Sequence, residues 1–93
     1  MADVKTHTYH RVAQEVRTFI VENFLFGEDD PTLQAHTSLL EHGIVDSTGI
    51  LELVAFIEST YGFRLDDGEL TAENLDSIEL ISAFVNRKLE ESV

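Results

Sequence analysis

The chain has 93 residues, 43% of them hydrophobic, with 18 acidic against 6 basic side chains, a formal net charge of −12 and no cysteine. That length holds one domain, taken as residues 1–93, and its apolar share is enough to build a single core. The charge excludes a phosphate-backbone binder, and the missing cysteines exclude disulfides, thiolate catalysis and cysteine-ligated metals.

In chain order, the first helical period runs through Tyr9, Val12, Val16, Phe19, Ile20 and Phe24, with Glu15, Arg17 and Glu22 off that face. Thr6 or Thr8 is expected to cap its start and Gly27 to stop it. Residues 26–46, FGEDDPTLQAHTSLLEHGIVD, form a long connection containing the only proline, Pro31. Loops of that length are functional or misassigned. Because Leu33, Leu39, Leu40, Ile44 and Val45 punctuate it, it is expected to pack down as an ordered crossover that delivers the chain to Ser47.

The second helix is predicted from Ser47 to Tyr61, with Gly62 as its stop. Its residues are apolar almost all the way round. Leu53, Phe56, Ile57 and Tyr61 are assigned to the core, which leaves Leu51, Ala55 and part of Val54 as an exposed strip bordered by Glu52 and Glu58. Such a strip suits partner docking, and a helix wrapped on both sides is the alternative. The stretch GFRLD at 62–66 is extended but too isolated to form a sheet. A short helix is expected over Ala72–Leu75. The last helix starts near Ser77, with a capping box from Asp76 to Glu79, and buries Ile78, Ile81, Phe84, Val85 and Leu89. The fold class is therefore all-α, a small four-helix bundle of three main helices and one short one.

Four chemistries are open to Ser47 and the residues around it. A nucleophilic serine needs a base, and His36 and His42 are the nearest candidates. VDSTG, however, lacks the first glycine of the G-x-S-x-G elbow, and the domain is too small to supply a pocket and an oxyanion hole together. His7 and His10 share H-x-x-H spacing, but no third ligand follows in register, so no metal site is expected. GEDDP and LDDGE lack the frame of a calcium loop and read as solvated turns. A helix N-terminus favours an attached phosphate, so Ser47 at that place is either a modification site or, with Asp46, an ordinary cap. Asp46 adds a negative charge for a partner's cation. No catalytic residue is assigned.

No stretch reaches the length of a membrane span, and MADVKTHTYH lacks the apolar core of a secretory signal, so a cytoplasmic location is expected. The acidic surface steers the protein towards basic patches on partners, or serves solubility alone.

SLLEHGIVDST, ELVAFIESTYGFRL and LTAENLDSIELISAFV, in that order and spacing over about residues 9–89, resemble the acyl carrier protein family. The shared features are the G-x-D-S signature, the E-L-V run, the aromatic–glycine helix end and the I-x-x-I-x-x-F/Y-V type final helix. The resemblance implies that Ser47 is the serine modified with 4′-phosphopantetheine by a phosphopantetheinyl transferase. The arm then carries cargo as a thioester on its terminal thiol, which supplies the sulfur this chain lacks. It implies that Asp46 helps the transferase dock and that Glu52 and Glu58 meet basic patches on partner enzymes. Thr48 stands where the family usually has leucine, Gly49 where an acid is common, and the double glycine of many peptidyl carriers is absent. These departures resemble the discrete, monomeric carriers loaded by stand-alone adenylate-forming acyl or aminoacyl ligases and read by downstream acyl-transferring enzymes. The alternative function is an unmodified acidic adaptor docking basic partners through the same helix.

Overall fold

The computed structural model describes residues 3–28 and 30–91, with side chains from residue 9 onward. The side chains of Thr6, His7 and Thr8, together with Asp29 of the GEDDP run, lie outside the described residues. Helix α1 spans Asp3–Phe24, α2 spans Ser47–Tyr61, α3 spans Ala72–Leu75 and α4 spans Ile78–Glu91, with a short 3-10 turn at Asp67–Glu69. No strand occurs among the described residues, and 62–66 is irregular. The all-α expectation holds, and so do the bounds of α2 and α3.

α1 starts earlier than expected, at Asp3, so Thr6 and Thr8 fall inside the helix rather than at its cap. Its other end also differs. The left-handed backbone expected at Gly27 (φ 83°) already begins at Phe26 (φ 56°). Leu25 and Gly27 N–H both donate to Val21 O, at 3.2 and 2.8 Å, and so satisfy an orphan helix carbonyl.

The core takes one stripe from each main helix: Val12, Val16 and Ile20 from α1, Leu53 and Ile57 from α2, and Ile78, Ile81 and Val85 from α4. Phe84 is also buried, while Phe56, Tyr61 and Leu89 only pack against the core from its margin. Three crossover residues, Leu33, Leu39 and Val45, are at most 1% exposed, which is why 26–46 is ordered without being helical. Leu40, expected among them, is instead 42% exposed, because Leu39 and Val45 already fill the space beneath that turn.

α1 and α2 run antiparallel and touch at three levels. Phe24 meets Gly49 at one end, Phe19 stacks on Phe56 with centroids 4.3 Å apart in the middle, and the Tyr61 hydroxyl donates to Glu15 Oε1 at 2.8 Å at the other. Burial, and next the Glu15 carboxylate, push the Tyr61 hydroxyl well above the usual phenol range.

Asp76 does not cap α4. Ser77 takes that place, its Oγ accepting from Leu80 N–H at 3.0 Å. Asp76 instead holds the crossover: Oδ2 accepts from Ser38 Oγ at 2.6 Å, Oδ1 from Leu40 N–H at 3.0 Å, and its carbonyl from Leu39 N–H at 2.8 Å. Ala35 O accepts from Glu79 N–H at 2.9 Å, and Arg17 Nη1 donates to Leu33 O at 2.6 Å. The long loop is thus tied to α1 and to the α3–α4 junction before it reaches Ser47.

Candidate functional site

The segment before α2 is a closed hydrogen-bonded turn. Leu39 O accepts from both Ile44 and Val45 N–H, at 2.9 and 3.2 Å, and Gly43 (φ 66°) supplies the left-handed residue that reverses the chain. Val45, 1% exposed, anchors the turn in the core. The next residue, Asp46, is extended (φ −99°, ψ −175°), and its Oδ1 accepts from Gly49 N–H at 2.7 Å. Asp46 is therefore the cap of α2.

That assignment decides the role left for Ser47. As the first helical residue it is exposed, and its hydroxyl makes no hydrogen bond among the described residues. Neither His36 nor His42 is hydrogen-bonded to it; His42 Nδ1 lies 3.0 Å from Ser38 O instead. The backbone N–H groups of Ser47 and Thr48 belong to the first turn, where a helix has donors without intrahelical partners and a partial positive charge. What the arrangement presents is an uncommitted hydroxyl beside anion-favouring donors, at the end of a rigidly held loop. No cluster of three metal-ligating side chains occurs among the described residues.

Gly49 explains why the first turn sits where it does. It is buried, and a Cβ there would lie 2.8 Å from Phe24 Cε1, 3.0 Å from Val45 Cγ1 and 3.2 Å from Asp46 Oδ1. Only a residue without a side chain lets the α1 terminus pack this close to the start of α2. The signal was available: a glycine inside an apolar helical run points to a close approach.

The remaining site residues divide. Thr48, Leu51 (63% exposed), Glu52 and Ala55 share the solvent side of α2 with Ser47. Glu58 is half-buried, and its Oε2 accepts from Leu65 N–H at 2.9 Å, so part of its job is to fold the segment after α2. Sequence reasoning missed that bond because nothing local marks it. A cavity of about 130 Å³ beside Ile50 is lined by Leu40, Leu70 and Leu75. It is small against the ~300–1,000 Å³ of ordinary ligand pockets. Phe84, 2% exposed and edge-on to Phe63 at 6.2 Å, fills interior space on α4.

No protein-family model matches the chain. Among curated proteins, a D-alanyl carrier protein of Abiotrophia defectiva is 29% identical over 52 residues. The match takes in 56% of this chain and 66% of that protein, just under two thirds of its length. With an all-helical fold and an exposed serine at the start of α2, this similarity supports a relationship to carrier proteins, of a specialised type.

Proposed function

We propose that this protein is a carrier: Ser47 bears a 4′-phosphopantetheine arm whose thiol holds an acyl or aminoacyl group as a thioester. The observation that carries the reading is the division of labour at the head of α2. Asp46 does the capping, which leaves the Ser47 hydroxyl exposed and uncommitted. The residues fit the group. A phosphodiester on Ser47 would sit against the first-turn N–H groups of α2, which favour an anion. In the modification Ser47 Oγ attacks the phosphorus that carries the pantetheine arm of coenzyme A; the pyrophosphate P–O bond breaks, adenosine 3′,5′-bisphosphate leaves, and the hydroxyl proton passes to the transferase. The bound arm supplies the thiol, and the chain presents it.

The chain is then a cosubstrate and not a catalyst. Tethering raises the effective concentration of the cargo at each partner without a separate binding site for each one. The partners are a phosphopantetheinyl transferase, an adenylate-forming acyl or aminoacyl ligase and downstream acyl-transferring enzymes, met in the cytoplasm through Asp46, Thr48, Leu51, Glu52, Ala55 and the remaining charge of Glu58. No helix among the described residues is long and apolar enough to cross a membrane. The name of the similar protein, together with the Phe84 ring filling interior space and a cavity of only about 130 Å³ beside Ile50, favours a short aminoacyl cargo over a long acyl chain.

Intact-mass measurement after incubation with coenzyme A and a broad-specificity transferase tests the reading. The expected result is a gain of one phosphopantetheine that Ser47→Ala abolishes. An unchanged wild-type mass would instead favour the acidic adaptor, which the 63% exposure of Leu51 beside Glu52 also accommodates.

A further inference from the structure

The turn that follows α1 holds a costly residue. Phe26 is 93% exposed, and its backbone is left-handed at φ 56°. Glycine or asparagine is the usual occupant of such a helix end, because a Cβ crowds the neighbouring carbonyl there. The ring also leaves a large apolar surface in water. The turn does not need it, since the bonds that close it, from Leu25 and Gly27 N–H to Val21 O, are all backbone. Both features cost the free protein, and among the described residues no contact of the 93% exposed ring offsets either.

Its position suggests what does. Phe24, two residues earlier, packs against Gly49 in the first turn of α2, which puts the turn carrying Phe26 at the end of the bundle where α2 and Ser47 begin. The exposed Glu28 follows, on a chain of net charge −12. An apolar projection with an acidic surround complements an apolar pocket with a cationic rim; the ring supplies the buried contact, and the charges supply orientation and encounter rate.

We propose that Phe26 is a docking anchor for the phosphopantetheinyl transferase, seated in an apolar pocket of that enzyme bordered by Lys or Arg. This rests on the carrier reading. The transferase is favoured over later partners because its chemistry occurs at Ser47 itself, which forces its active site against this end of the bundle. Enzymes that act on the thiol work at the far end of an arm, so their docking on α2 need not bring an active site against this end of the bundle.

The test measures thermal stability, and kcat/KM for modification by a broad-specificity transferase with coenzyme A, for the wild type, Phe26→Asn and Phe26→Leu. Asparagine tolerates the left-handed backbone, so Phe26→Asn is expected to be as stable as the wild type or more so. Its kcat/KM should nonetheless fall roughly ten-fold or more, the scale of one buried aromatic side chain. Phe26→Leu, which keeps an apolar side chain, should recover most of that loss. A purely structural residue would move stability the other way. An unchanged kcat/KM in Phe26→Asn, with the wild type modified, overturns the anchor and leaves the carrier reading standing. Slower ligase loading with unchanged transferase kinetics overturns the transferase as the partner. A wild type that is never modified overturns the carrier reading and the anchor with it.

Discussion

Gly49→Ala puts the account of the α1–α2 contact under direct strain. In an exposed helix interior, alanine gains about 1 kcal/mol over glycine from propensity alone. Here the new methyl would lie 2.8 Å from Phe24 Cε1 and 3.0 Å from Val45 Cγ1. Val45 is 1% exposed and has nowhere to go, and Phe24 backs edge-on against Phe19 at 5.9 Å, which is itself stacked on Phe56. Overpacking of this kind costs about 1–3 kcal/mol. The methyl also lies 3.2 Å from Asp46 Oδ1, the atom that holds the helix cap, and loosening a cap costs roughly 0.5–2 kcal/mol. The unfavourable effects come to about 1.5–5 kcal/mol, and after the propensity gain a net loss of about 0.5–4 kcal/mol is left, centred near 2. In a domain this size the central value lowers Tm by roughly 8–16 °C, readable by circular dichroism. An alanine variant as stable as the wild type, or more stable, would refute the close-approach argument.

Other perturbations separate structural from docking roles. Asp76→Ala frees Ser38 Oγ and Leu40 N–H, a loss of about 2–4 kcal/mol for two bonds to a charged acceptor, and amide exchange should rise first over 38–45. Glu52→Lys should slow ligase loading in a salt-dependent way with Tm unchanged. Glu58→Lys should in addition lose about 1–2 kcal/mol as Leu65 N–H loses its acceptor, so kinetics indifferent to both changes and to salt would move the docking face elsewhere. The hydrogen bond from Asp66 N–H, and after it Lys88 at 3.2 Å, hold the Glu69 carboxyl below the usual range. A lowered pKa means that the stabilisation is complete above the ordinary glutamate range and is lost as pH falls through the folded value. An NMR titration should therefore place Glu69 below a free glutamate, with Lys88→Ala moving it partway back.

The sequence pattern recovered what periodicity and local stop signals encode. α2 begins at Ser47 and ends before Gly62, whose φ of 77° and N–H bond to Glu58 O at 3.0 Å are those of a left-handed helix end. It could not recover what depends on partners distant in sequence. DSIE looked like a capping box from Asp76, but the carboxylate was drawn off to Ser38 and Leu40, 38 and 36 residues away, and Ser77 capped α4 instead. Glu58 looked like a rim charge until Leu65 N–H claimed one oxygen. Leu40 carried the same apolar signal as Leu39, and only the geometry of the turn told the buried residue from the exposed one. At the site, the choice between Ser47 and Asp46 as cap was open in the sequence and is resolved by one 2.7 Å bond.

The central claim is that the hydroxyl left free by that bond is where the arm is attached. The most direct test is peptide mapping by tandem mass spectrometry after modification with coenzyme A and a transferase. The account predicts phosphopantetheine on Ser47 alone, with none on Ser38, Ser59, Ser77, Ser82 or Ser92. An arm on any other residue, or on none, would contradict it.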